Sequence, residues 1–88
     1  MKLTENEKVF LKDFIKELER SKHVENIDGK DFCQNDCSLG SRVARGVLSS
    51  LNKKGVFDYG GMLPENKHCW NPLYMGENYE EAIKELGL

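Results

Sequence analysis

The chain has 88 residues, of which 39% are hydrophobic and 32% charged, with a net charge of −2 at pH 7. That length holds one domain, residues 1–88, and a modest core, because a domain this small buries only about 60–70% of the surface its unfolded chain exposes. No apolar run approaches the roughly 18 residues of a membrane span, and the overall charge argues against coating nucleic acid by bulk electrostatics.

Residues 4–21 read as a helix. Thr4 and Glu7 form a T-x-x-E capping box, which satisfies two orphan backbone donors at a helix start. Phe10, Phe14 and Leu18 recur every fourth residue with Leu11 and Ile15 beside them, making one wide apolar stripe. Residues 22–29 are polar and end in Asp28-Gly29, a turn signal, with Val24 and Ile27 suited to a short extended piece. Residues 30–37 admit a short helix with Phe32 facing inward.

Residues 41–54 form a second strong helix. At about 100° per residue, Val43, Ala44, Val47, Leu48 and Leu51 fall within one apolar arc. Asn52, Arg45, Ser49, Arg42 and Lys53 fall on the opposite side, and no carboxylate interrupts them. Gly46 lies at the edge of that polar arc and suggests close approach of another backbone. Gly55 takes the usual position just past the helix end. Val56–Tyr59 is strand-like, Gly60-Gly61 opens a loop that runs to about Lys67, and Cys69–Tyr74 reads as the returning strand. Pro72 is tolerated at an edge or an end. A last helix spans 78–86, capped by Asn78, with Tyr79, Ala82, Ile83 and Leu86 on one face. A hairpin alone is unstable in water, so it must pack on the helices, giving a small α+β domain. Trp70, Phe57, Tyr59 and Tyr74 gather around that hairpin and read as core.

The charge is unevenly placed. Residues 38–57 carry +4 from Arg42, Arg45, Lys53 and Lys54 with no acid, inside a chain that is −6 elsewhere. A helix enters a DNA major groove only with a polar face free of carboxylates. Arg42 and Arg45 stand near the helix start, the end that meets base edges in helix-turn-helix docking. Ser41, Ser49 and Asn52 supply further donors and acceptors, while Lys53, Lys54 and Lys67 suit phosphates.

The segment Leu39–Phe57 resembles the recognition helix and first wing strand of winged helix-turn-helix proteins, in particular MarR-like regulators. Ser41-Arg42 matches the polar first turn. Val43, Val47 and Leu51 match the apolar residues four apart, and Lys53-Lys54-Gly55-Val56 matches the basic pair, glycine and β-branched residue that open the wing. With its flanking elements the resemblance covers residues 4–74. It implies three to four helices with a two-stranded hairpin wing, the loop 60–68 lying along the DNA backbone or minor groove, and a small cytoplasmic transcription regulator. The wing carries only Lys67 and His68 as cations beside Asp58 and Glu65, and Asp31 and Asp36 fall near the expected DNA face. So few phosphate contacts imply a homodimer or protein partner, docked through helix 4–21 or helix 78–86. The competing reading is a winged-helix adaptor that binds protein and not DNA.

Three cysteines, Cys33, Cys37 and Cys69, in a chain whose first residues hold no apolar signal region speak against a disulfide framework and for the cytoplasm. Cys33, Cys37, His68 and Cys69 match a structural zinc in number, but adjacent residues on a strand point to opposite faces. The expectation is therefore buried cysteines without metal. No phosphate loop, activated nucleophile or carboxylate pair is recognisable, so neither an enzyme nor a cofactor is expected.

Overall fold

The computed structural model describes residues 1–87. Four helices and one two-stranded antiparallel sheet make a small α+β domain. Helix α1 spans Glu5–Ser21. Its capping box is complete: the Thr4 hydroxyl accepts from the Glu7 N–H at 3.1 Å, and Glu7 Oε1 accepts from the Thr4 N–H at 2.8 Å. The helix ends at Lys22, which adopts a left-handed φ of 68° and donates its N–H to the Leu18 carbonyl.

A short 3₁₀ turn at Val24–Asn26 leads to Ile27 and Asp28 in extended conformation. Asp28 does more than mark a turn. Its Oδ2 accepts from the Asp31 N–H at 3.0 Å, which caps helix α2 (Gly29–Asp31), and α2 widens at once into a π turn at Phe32–Asp36. Phe32 and Cys33 face inward from this segment. The turn that follows is fastened to α1, because Asp13 accepts from both the N–H and the hydroxyl of Ser38.

Helix α3 spans Ser41–Lys53. It buries Ala44, Leu48 and Leu51 and half-buries Val47. Val43, expected in the same arc, is 45% exposed. The arc is wider than the area that α1 covers, so its margin on Val43 is left on the surface. Gly55 reverses the chain with φ of 76°, a conformation that glycine adopts without steric cost.

Strand β1 (Phe57–Asp58) pairs with β2 (Tyr74–Met75), with Phe57 opposite Met75 and Asp58 opposite Tyr74. The returning strand is later and shorter than the expected 69–74. Pro72 lacks an N–H and closes only an isolated bridge to Asp28, on the side away from β1. The Leu73 N–H donates to the Ile27 carbonyl at 3.0 Å, so Ile27-Asp28 acts as a third short extended piece beside the hairpin. Cys69 and Trp70 stay in the loop. That loop holds two 3₁₀ turns, Gly60–Met62 and Pro64–Asn66, and is gathered by the amides of Asn66 and Asn71.

Helix α4 spans Tyr79–Leu86. Asn78 precedes it but does not cap it. Its side-chain amide donates instead to the Lys54 carbonyl at 2.8 Å, tying the start of α4 to the end of α3. The core is a cluster of edge-to-face rings, with Phe10 against Phe32 at 5.1 Å and Phe14 against Phe57 at 4.9 Å, surrounded by Leu11, Leu48, Leu51, Val56 and Leu73. Such ring pairs add about 0.5–1.5 kcal/mol each beyond the area they bury. Trp70 is not part of this core. It is 61% exposed, with its indole N–H donated to the Glu25 carbonyl, and Tyr74 is 45% exposed. No described helix is long and apolar enough to cross a membrane.

Candidate nucleic-acid interface

The packing of α3 on α1 leaves the polar side of α3 outward. Arg42, Arg45 and Lys53 are exposed there, with Ser41, Ser49 and Asn52 half-buried, and no carboxylate lies anywhere along the helix. The β1–β2 loop comes back beside α2 and the first half of α3. A cleft of about 440 Å³ opens between the three, with Arg42, Arg45, Lys67 and Lys30 among its walls. The residues that line it include four cations and no acid.

Of the residues expected to meet DNA, the structure brings Arg42, Arg45 and Lys67 together. Lys30, not expected, joins them from α2. Its segment carries two carboxylates, and only the fold turns the lysine toward α3 while Asp31 and Asp36 line a different recess with Glu17. Asp36 pairs there with Arg20 at 3.6 Å. The remaining expected residues are dispersed. Asn52 lines a separate recess with Asp58 and Glu77, and its Oδ1 accepts from the Tyr59 N–H at 3.2 Å, holding the loop to α3. Ser41, Ser49 and Lys53 lie outside the cleft.

Lys54 is engaged elsewhere. Its ammonium sits 2.6 Å from Glu7 Oε1 and 3.2 Å from the Lys2 carbonyl oxygen, while Glu7 Oε2 accepts from the Ser50 hydroxyl at 2.6 Å. Burial pushes the Glu7 carboxyl up. The hydrogen bonds from Lys54, Ser50 and Thr4, with the lysine charge, outweigh it and hold Glu7 below its usual range. A lysine so placed fastens α3 to α1 and is not presented to a phosphate.

Gly46 stands on the rim of the cleft with nothing within 4 Å of where a Cβ would lie, so no other backbone approaches it. Gly29 and Gly61 are different. A Cβ on Gly29 would fall 2.3 Å from the Tyr59 ring and one on Gly61 2.1 Å from its hydroxyl oxygen, so the side chain lies in a slot that only glycines leave open.

Cys33 is fully buried at the base of the cleft, and burial, with Cys37 beside it, pushes its thiol up to about 12. It is an inert packing group at neutral pH. Cys37 is also buried, whereas Cys69 is exposed in the loop, and all three are free thiols. Among the described residues no three His, Cys, Asp or Glu side chains gather as a metal site. Compared with protein-family models, curated proteins and solved structures, the chain shows no significant match to any of them.

Proposed function

We propose that this domain is a winged helix-turn-helix module that binds double-stranded DNA, with α3 in the major groove and the β1–β2 loop as its wing. One observation carries the reading: Arg42, Arg45, Lys67 and Lys30 come from three separate elements to one cleft that no acid lines, in a chain whose net charge is −2. The element order, with the Asp28–Pro72 bridge beside the hairpin, supports this reading. Arginine supplies bidentate contacts to guanine or to phosphate, and the lysines supply phosphate contacts. A role in transcription regulation, like that of MarR-like proteins, follows from this reading, as does a cytoplasmic location.

Roughly four phosphate contacts make for weak binding by one domain, with a dissociation constant of about 10⁻⁴ to 10⁻⁶ M and a logarithmic salt slope of roughly −3 to −4. Tighter binding requires a second DNA-binding unit, such as a homodimer. The apolar faces of α1 and α4 lie largely against the domain's own core. Fluorescence anisotropy with labelled duplexes at increasing salt tests the reading. Steep loss of affinity with salt is expected, and absence of binding to every duplex at about 50 mM salt would overturn it.

A protein-docking adaptor is the second reading. Met62, Leu63 and Trp70 are 42%, 51% and 61% exposed on the loop beside Lys67, a set of apolar residues that a phosphate backbone does not need. Duplex binding that survives replacement of Arg42 and Arg45 by alanine would favour neither reading, whereas its absence in the unaltered chain leaves the adaptor.

A further inference from the structure

We propose that the cleft between α2, α3 and the β1–β2 loop binds a small organic phosphate of about nucleotide size. Contact with a duplex needs only exposed cations on a convex surface. This site is concave, and its volume of about 440 Å³ lies in the range that accommodates small ligands. The walls divide by chemistry. Arg42, Arg45, Lys30 and Lys67 suit a phosphate, and guanidinium groups match its oxygens in bidentate geometry. Met62, 42% exposed, offers apolar surface to the organic body.

Tyr59 is the second observation. Its side chain lines the cleft and is only 9% exposed, yet its hydroxyl makes no hydrogen bond within the described protein. No fully buried side-chain oxygen or nitrogen of the described residues lacks a partner, so this hydroxyl opens into the cleft. Gly29 and Gly61 hold the ring from either side and fix where it points. Burial pushes the phenol up, with the charge of Asp28 acting in the same direction and Arg45 against it, so the hydroxyl keeps its proton and donates. Asp28 is the nearby carboxylate that opposes an anion. Both of its oxygens already accept backbone N–H groups, from Asn71 at 2.8 Å and Asp31 at 3.0 Å, and it does not line the cleft. An unpartnered donor in a cleft lined by four cations is suited to receive a phosphate oxygen.

Occupation of the cleft does not depend on DNA binding. Competition with a duplex does rest on that reading, because Arg42 and Arg45 serve both. The test is titration of the full chain with AMP, UMP, glucose 6-phosphate, their dephosphorylated counterparts adenosine, uridine and glucose, and inorganic phosphate, followed by amide chemical shifts and calorimetry. At least one of the three organic phosphates should bind saturably, with shifts at Arg45, Tyr59 and Gly61. Its dephosphorylated counterpart and inorganic phosphate should each bind at least about 10-fold more weakly. Tyr59→Phe should weaken the organic phosphate about 3–10-fold while leaving the melting temperature and duplex affinity unchanged. Arg45→Ala should weaken both ligands. No saturable binding of any of the three in the millimolar range overturns the proposal, as does binding that Tyr59→Phe leaves unaltered. Ligand binding without duplex binding removes the DNA reading and keeps the cleft, and the reverse result removes the cleft alone.

Discussion

The two ends of α3 use positive charge in opposite ways. At its start, Arg42 and Arg45 stand exposed with Lys30 and Lys67 around an open cleft. At its end, Lys54 reaches back to a carboxylate that is only 1% exposed and closes a buried cluster of Glu7, Ser50 and the Thr4 N–H. Both ends belong to one acid-free stretch of sequence, and the difference lies in pairing: Glu7 of α1 holds Lys54, whereas Arg42 borders a recess with Glu5 and Glu7 without an ion pair to either. Free cations recognise a partner, whereas cations already matched to a carboxylate hold the fold. The excess of +4 in residues 38–57 therefore overstates the charge offered to a ligand, because one unit of it is neutralised within the domain.

The sharpest way to break this contrast is to remove Glu7. Glu7→Ala leaves the Thr4 N–H and the Ser50 hydroxyl without their acceptor and the Lys54 ammonium with only the Lys2 carbonyl. Loss of about 2–3 kcal/mol of stability is expected, less than for a wholly buried pair because Lys54 is one-third exposed. Urea unfolding reads it, and duplex affinity of the folded fraction should change less than about 2-fold. The double replacement Arg42→Ala with Arg45→Ala is the mirror experiment. It should cost about 10–30-fold in duplex affinity and flatten the salt dependence by roughly two contacts, while the unfolding midpoint stays within experimental scatter. If both variants lose stability and affinity together, the two ends of α3 are not separate in function.

The same pair gives a pH signature with a definite sign. The folded Glu7 carboxyl titrates below its ordinary value of 4.5, so the unfolded chain binds more protons in that range. The stabilisation is complete above pH 4.5 and is lost as pH falls through the lower folded value. Thermal unfolding followed from pH 6 down to about 3 should show this loss, and Glu7→Gln should remove that part of the acid sensitivity. A mutant whose acid profile parallels the parent would show that other carboxylates dominate.

Much of this contrast was legible in the chain, but only one side of it. Local pattern sufficed for α1, α3 and α4, because a capping box, an apolar stripe and a glycine stop are all written within a few residues of one another. The free arginines were legible for the same reason, as helical geometry alone places Arg42 and Arg45 opposite Val47 and Leu51. Lys54 was not, since its partner Glu7 is 47 positions away and was already explained by its local capping role. Lys30 was hidden by its acidic neighbours, and its place on the cleft depends on how α2 packs against α3. The hairpin shifted for a related reason. Pro72 could be assigned to an edge, but nothing local shows that Asp28 meets it there. Trp70 is expected in the core as one of the aromatics gathered around the hairpin, whereas it lies on the surface with its indole N–H donated to the Glu25 carbonyl.

The smallest expected effect separates stability from recognition at a single residue. Gly46 lies in the interior of α3 with open space around the position of a Cβ, so it has no packing reason to be glycine. Gly46→Ala should stabilise the domain by about 0.5–1 kcal/mol, the difference in helix propensity, and raise the unfolding midpoint without altering its denaturant slope. Gly46 also lines the cleft with Arg42 and Arg45. A methyl group there narrows the path of anything that lies close against α3, whether a sugar-phosphate backbone or a compact ligand. Stabilisation accompanied by weaker binding would show that the glycine keeps this surface low for a partner. Stabilisation with unchanged binding to both duplex and organic phosphate would place the contact farther along the cleft, toward Lys67 and the loop.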